Sequence, residues 1–407
     1  MSEAIRGRVL PRPVHPFAAR MAASIPWKEL CRTDRTLKVL DPMAGSGTTI
    51  VVARALGHEA LGFDTDPLAV LLARVWSDDV QGSASLTAAE QVVARAERSS
   101  RCILLKNAYP SGADEETRAF VRYWFDGPNR RQLASLARSI SRVEVKAVRN
   151  VLWCAFSRLI ITKQAGASLA IDVAHSRPHR THEKRVIRPL EHFLRAVRVV
   201  VDAAPFKEAA NSLPGAKVRL ADARKLPLAA SSVDVVVSSP PYLNAIDYLR
   251  GHKFSLIWMG YNIATLRGVR AANIGTEVSA TDAGDPPAVS DGLRRMGRLD
   301  DLPWRQQRML ARYVGDMDRA VGELARVLVP RGRAVLVIGD CTMRGVEVRN
   351  SGALASLAEH HGLSIVGRRF RDLPPNRRYL PPPSSKDSGP MLRNRMGREV
   401  VLDLVKA

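Results

Sequence analysis

With 407 residues and 46% apolar content, the chain is long enough for two or three domains, or for one domain carrying a large insertion. Its formal net charge of +22 favours a polyanionic partner such as nucleic acid, or an acidic membrane surface. No apolar run of about 18 residues is present to span a membrane, and no apolar signal region opens the chain. The scattered Cys31, Cys102, Cys154 and Cys341 contain no C-x-x-C pair. That argues against a metal site and a disulfide framework, and suits the cytoplasm.

Residues 1–36 are polar and proline-marked, and Val14-His15-Pro16-Phe17-Ala18-Ala19-Arg20-Met21 reads as a loop entering a helix. Leu37 to Asp41 reads as a strand, and Pro42-Met43-Ala44-Gly45-Ser46-Gly47 as the turn after it. Thr48 and Thr49 are expected to cap the next helix through their hydroxyls. That helix runs from Ile50 to Leu56 and stops at Gly57. A second strand, Ala60 to Phe63, ends at Asp64, and Asp66 is placed to cap an apolar helix starting at Pro67 and running from Leu68 to Trp76.

This is half of a βαβ unit, with glycines on the first turn and an acid 17 positions beyond Gly47. Glycines let a backbone approach a ligand closely, and an acid ending the second strand can bind ribose hydroxyls. The third glycine of a dinucleotide fingerprint is absent, because Thr48 and Thr49 follow Gly47. A phosphate-cradling nucleotide triphosphatase loop is excluded by the lack of a lysine there.

Helical patterns dominate residues 77–212, as with Leu133, Leu136, Ala137 and Ile140 on one face. Between Arg118 and Arg198 there are 17 Lys and Arg against 5 Asp and Glu, more than half of the chain's excess charge. The stretch reads either as an inserted basic subdomain meeting a phosphate backbone or as a set of solvated helix faces. Tyr123, Trp124 and Phe125 would stack on a base or belong to the core. His175, His179 and His182 lie beside Arg177 and Arg180. Those neighbouring cations argue against a metal, leaving a nucleic-acid contact or a plain polar loop.

Alternation resumes with the strand Lys217 to Leu220, followed by Asp222, which is either a ligand contact or a turn former. Val233 to Ser238 reads as a fully buried strand. Ser239-Pro240-Pro241-Tyr242 must leave the sheet, because two prolines lack the N–H groups a central strand needs. Open α/β sheets build their sites at such carboxyl ends. Asn244, Asp247 and Tyr248 follow, and then an apolar helix over 252–260. Residues 262–303 read as a polar loop, over the site or disordered. A helix from Trp304 to Leu328 and strands over 333–338, 364–369 and 399–405 complete the chain. Arg377 and Arg378 sit in a proline-stiffened basic loop placed to touch a substrate strand.

Two motifs carry a resemblance. Asp41-Pro42-Met43-Ala44-Gly45-Ser46-Gly47-Thr48-Thr49 is similar to the S-adenosylmethionine loop of DNA amino-methyltransferases, and Ser239-Pro240-Pro241-Tyr242 resembles their Ser/Asp-Pro-Pro-Tyr signature. Together they cover roughly residues 15–75 and 217–340. The resemblance implies a Rossmann-like doubly wound α/β sheet, split into 1–76 and 213–407 by an inserted helical subdomain at 77–212 that is a candidate for target recognition. It implies that Phe17 packs at the methionine end of the cofactor, although Ala18 stands where the family has a second proline. It also implies that Asp64 holds the ribose and that Asp222 faces the adenine amino group.

In such enzymes the hydroxyl of Ser239 and the carbonyl of Pro240 would hold a base by its exocyclic amino group, and Tyr242 would stack on it once it is flipped out. A serine at position 239 favours cytosine N4 over adenine N6. The expected partner is DNA, with no membrane. RNA as substrate, or a DNA-binding protein with a vestigial core, are the alternatives.

Overall fold

The computed structural model describes residues 11–18, 20–163, 165–181, 183, 187–206, 213–243, 247–275, 286–373 and 397–407. Its centre is a seven-stranded sheet. In chain order the strands are β1 (Lys38–Asp41), β2 (Glu59–Asp64), β5 (Ala216–Leu220), β6 (Val233–Ser238), β7 (Leu328–Gly339), β10 (Leu363–Asp372) and β11 (Arg398–Lys406). Two short hairpins stand outside it, β3 (Ala170–Ile171) with β4 (His179–Arg180) and β8 (Cys341–Met343) with β9 (Val346–Val348). The strands of the large sheet lie in the spatial order β10-β11-β7-β6-β1-β2-β5. β11 runs antiparallel to both neighbours, and the pairs from β7 through β5 are parallel. The expected doubly wound α/β architecture is what the chain adopts. Its strand order reverses between β1 and β6, where such sheets open a crevice at their carboxyl ends.

The sheet is buried on both faces, which is why its central strands are almost wholly apolar. Residues alternate strictly between two cores. Val39, Val235, Val237, Val335 and Val337 face one, while Leu40, Val236, Ala334, Leu336 and Ile338 face the other. The first core is closed by α1 (Ser24–Leu30), α2 (Thr48–Ala55), α3 (Pro67–Ser77) and the helices that fill the stretch between β2 and β5. Those helices are α4 (Gly82–Cys102), α5 (Glu115–Trp124), α6 (Gly127–Ser141), α7 (Lys146–Ile160) and α8 (Pro189–Ala203). After β6, α9 (Tyr248–Leu256) adds Leu249 and Phe254 to the same core, and α10 (Ile263–Ala272) adds Leu266. The second core is closed by α11 (Pro287–Met296), α12 (Trp304–Val327) and α13 (Asn350–His360).

Asp114 and Asp126 cap α5 and α6 by accepting from the N–H groups of Thr117 and Asn129, both at 2.8 Å. The expected face of α6 is buried at Leu133, Leu136, Ala137 and Ile140. α7 packs on α3, and the helices between β2 and β5 share one continuous core with the sheet rather than forming a separate one.

Two local expectations are corrected. Gly47, at φ +90°, takes the N-cap position of α2, and neither threonine caps the helix. The Thr49 hydroxyl donates instead to the carbonyl of Val237 on β6 at 3.0 Å. The stretch 262–303 is not an open loop, since it holds α10 and α11, with 276–285 outside the described residues. Its small residues serve close packing. A Cβ on Gly292 would sit 2.9 Å from Val314, and Gly352 of α13 admits the carbonyl of Arg295 from this stretch.

Candidate active site

β1 and β6 end side by side, so the glycine turn and the Ser-Pro-Pro-Tyr loop meet although almost 200 residues separate them. Two hydrogen bonds tie the strand ends together. The Ser238 hydroxyl donates to Asp41 Oδ1 at 2.7 Å, and Thr49 donates to Val237 as above. Burial pushes the Asp41 carboxyl up to about 6, against the opposing hydrogen bonds from Ser238 and from the Met43 N–H.

The glycine turn is held from the next strand. Asp64 Oδ2 accepts from the Gly45 N–H at 2.8 Å, and its Oδ1 accepts from the Asp66 N–H at 2.9 Å. Burial, reinforced by the nearby Asp66 carboxylate, pushes Asp64 up to about 7. Gly45 and Gly47 both have positive φ. Pro42, Ala44, Ser46, Thr48 and Thr49 complete the turn and the first residues of α2. The Ser46 hydroxyl is buried, with no hydrogen-bond partner among the described residues.

Phe17 lies against this turn, its ring edge 3.4 Å from where a Cβ on Gly45 would be. The ring stacks on Tyr248, the first residue of α9, with centroids 5.1 Å apart, and touches His252 at 5.3 Å. His252 Nδ1 is 2.5 Å from Asp66 Oδ2, and Asp66 also caps α3 by accepting from the Leu68 N–H at 2.8 Å. The preceding His15 is buried between the Pro16 carbonyl at 2.7 Å and the Ser157 hydroxyl at 3.0 Å. Burial, with Arg158 nearby, holds it well below the ordinary histidine value, so it anchors this segment as a neutral ring.

On the other side of the crevice Pro240 is buried, and Ser239, Pro241 and Tyr242 are half-buried. The Pro241 carbonyl accepts from the Tyr313 hydroxyl of α12 at 3.0 Å. The Ser239 hydroxyl donates to the Tyr242 hydroxyl at 3.2 Å, which donates to Glu399 Oε1 at 3.2 Å. Arg371 Nη1 completes the series 2.6 Å from Glu399 Oε2. Glu399 is the second residue of β11 and Arg371 lies on β10, and nothing local in the sequence marks either. They reach the loop only because β11 inserts between β7 and β10.

Asp222 sits where the strand order expects it, just past β5, in a tight ion pair with Arg224 at 2.6 Å. Burial alone would raise its pKa, but the Arg224 hydrogen bonds and charge hold it below the usual carboxylate range. Arg224 also bonds Asp316 at 2.7 Å. Asp222 also accepts from the Arg224 N–H at 2.9 Å, which closes a turn there.

Trp124 and Phe125 are core residues, with Trp124 on Phe254 of α9 at 4.9 Å and Phe125 on the following Trp258 at 5.4 Å. Tyr123 is 51% exposed, with the Arg180 guanidinium 4.6 Å above its ring. Arg177, His179 and Arg180 are exposed on the β3–β4 hairpin. The hairpin leans on α9, where Ser176 donates to the Tyr248 carbonyl at 3.3 Å and Gly251 admits the Val173 carbonyl. It is thus linked through Tyr248 and Phe17 to the glycine turn. A cavity of about 490 Å³ beside α12 is lined by Trp304, Arg305, Arg308, Arg312 and Met343, one residue from Tyr313.

Arg377, Arg378, Asn244 and His182 lie outside the described residues. Among the described residues no cluster of three or more His, Cys, Asp or Glu is placed to hold a metal. No helix among them is long and apolar enough to cross a membrane.

No family model matches the chain. No curated protein matches it. Solved structures do. A TehB-like SAM-dependent methyltransferase from Corynebacterium glutamicum aligns over 95% of this chain and 89% of its own, at 11% identity and TM-score 0.31. A geranyl diphosphate methyltransferase in complex with GPP and sinefungin covers 95% and 78%, at 9% identity and TM-score 0.34. A candidate DNA modification methylase from Thermus thermophilus, complexed with S-adenosyl-L-methionine, covers 46% and 53%, at 18% identity and TM-score 0.23. Likenesses at these scores say nothing about activity.

Proposed function

We propose that the chain is an S-adenosylmethionine-dependent methyltransferase acting on the exocyclic amino group of a base in DNA, with cytosine N4 favoured over adenine N6. The observation that carries this reading is the meeting of the two motifs at the strand-order reversal. A glycine turn with a half-buried acid at the next strand's end faces a serine, two prolines and a tyrosine at the end of the adjacent strand.

The residues fit the cofactor. Gly45 lets the Phe17 ring close on the turn, Gly47 lets the turn pack on α3, and Ser46 has a buried hydroxyl in need of a partner. Asp64 would accept from the ribose, and Phe17 would lie over the methionine end. When bound, S-adenosylmethionine supplies a sulfonium whose methyl group is already electrophilic. The chain's own task is then mostly orientation. The Ser239 hydroxyl and the Pro240 carbonyl accept the two amino protons and turn the nitrogen lone pair toward the crevice. Dipoles so placed also stabilise positive charge as it develops on that nitrogen. Tyr242 offers its ring face to an extruded base. The exposed Tyr123–Arg180 pair, with Arg177 and His179, and the arginines around Trp304 supply cations for phosphates and rings for bases.

Purified protein given labelled S-adenosylmethionine with DNA and RNA side by side tests the reading. Label is expected in DNA and lost on Ser239→Ala or Tyr242→Ala. Label in RNA alone moves the substrate, and no cofactor binding in a titration points to a vestigial core.

A pH dependence follows from Asp64. Its folded pKa is raised to about 7, so the native chain binds more protons than the unfolded chain between the ordinary carboxylate value and about 7. This group's contribution to stability therefore falls as pH rises across that window, and the ionised acceptor dominates only above about 7. Cofactor affinity is expected to weaken as pH drops through about 7, approaching about tenfold per unit. Asp64→Asn is expected to bind weakly and without that slope, as read by calorimetric titration of both proteins from about pH 8 down to about pH 6, with Asp41 titrating alike in the two.

A further inference from the structure

Resting on that reading, we propose that Glu399 makes the site select an amino group over a ring carbonyl, by fixing the direction in which Ser239 points its proton. A serine hydroxyl is both donor and acceptor, so by itself it meets an amino group and a carbonyl equally well. The series Ser239–Tyr242–Glu399 removes that ambiguity. An ionised carboxylate only accepts, and a phenol has a single proton. Tyr242 gives its proton to Glu399 Oε1, leaving its oxygen to accept from Ser239 Oγ, each at 3.2 Å. The one proton of Ser239 is thereby committed inside the protein, and its lone pairs are what remain for a ligand.

Arg371 anchors the direction. Its guanidinium, a pure donor, is 2.6 Å from Glu399 Oε2 and holds the carboxylate in place. Burial and the neighbouring Glu399 hold Tyr242 well above the ordinary phenol value, so it keeps the proton the series requires. A site of this polarity takes the amino groups of cytosine or adenine. It rejects the carbonyls that uracil and hypoxanthine carry at the same positions, because two lone pairs would then face each other.

Glu399 is a positioning residue, acting through Tyr242 on Ser239, and Glu399→Gln makes a sharp prediction. Arg371 still demands an acceptor, so the amide turns its oxygen to Arg371 and its NH2 to Tyr242. Tyr242 then donates to Ser239, and the serine proton turns toward the ligand.

The test measures binding of short single-stranded oligo(dC) against oligo(dU), and oligo(dA) against oligo(dI), with S-adenosylhomocysteine present throughout. Wild type is expected to favour an amino base over its keto partner by about tenfold or more in at least one pair. Glu399→Gln should cut that ratio severalfold, leaving the preference that the Pro240 carbonyl, a pure acceptor, supplies by itself. Tyr242→Phe, which leaves the Arg371–Glu399 pair intact, should lower it toward the same residual value. A purely structural role would weaken both members of a pair equally, and equal weakening, or an unchanged ratio in both variants, overturns the proposal. Labelled methyl transfer to the same oligonucleotides is read in parallel. Transfer by wild type with unchanged variant ratios overturns the role of Glu399 alone. No transfer to any nucleic acid and no amino preference overturns the methyltransferase reading with it.

Discussion

Ser239→Ala is expected to lower the rate of methyl transfer by about 10² to 10³, the usual cost of removing one oriented polar group that acts on the transition state. The methyl side chain leaves one amino proton of the base without an acceptor in a half-buried crevice. The amine is then held by the Pro240 carbonyl alone and is free to swing. The Ser239 hydroxyl bonds to Tyr242, on its own loop and not on the glycine turn, so cofactor affinity is expected to stay within about twofold of wild type. The Pro241 carbonyl is already committed to Tyr313 at 3.0 Å and cannot substitute. Single-turnover rates with labelled cofactor, beside calorimetric titration of the same protein, separate the two effects. A variant that keeps its rate shows that the hydroxyl takes no part.

Gly47→Ala is expected to cost about 2 to 4 kcal/mol of folding stability. Two terms add. The residue sits at φ +90°, where a Cβ is strained by about 1 kcal/mol. The new Cβ would also lie 2.8 Å from the Ala73 Cβ and 2.9 Å from its Cα on α3, and helix backbone cannot yield as a flexible side chain would. Overpacking of that kind costs roughly 1 to 3 kcal/mol. Gly57→Ala is an internal control, because its φ is +83° yet no atom of the described residues lies within 4 Å of the added Cβ. It should lose only about 1 kcal/mol. Urea unfolding of both variants measures the difference. Equal midpoints would mean that the contact between the glycine turn and α3 is looser than described.

The central strands were legible because both faces of the sheet are buried. Runs such as Val233 to Val237 are apolar and β-branched almost throughout, and Pro240 and Pro241 mark where the chain has to leave. The same pattern placed Asp41, Asp64 and Ser239 at carboxyl ends, and the reversal between β1 and β6 brings them together. Other features depend on neighbours remote in sequence. Thr49 reads as a helix cap because Thr hydroxyls often are, but Gly47 holds the N-cap position two residues earlier and the Thr49 hydroxyl faces β6, where it donates to the Val237 carbonyl. α11 looked like a loop because Ser290 and Gly292 break its apolar pattern, although Gly292 is where Val314 and Leu357 come close. Asp222 was open between ligand contact and turn, and only Arg224 and Asp316 reveal its present partners. Glu399 could not be found by local reasoning, since an acid at the start of an apolar strand says nothing of Tyr242. Its place follows from the one antiparallel strand lying between β7 and β10.

Sequencing that detects modified bases, on DNA from cells with and without this chain, tests the central claim most directly. N4-methylcytosine, or failing that N6-methyladenine, is expected only in the presence of the chain, and is expected to vanish when the chain carries Ser239→Ala. Identical modification in both DNAs, or marks that persist with Ser239→Ala, would contradict it.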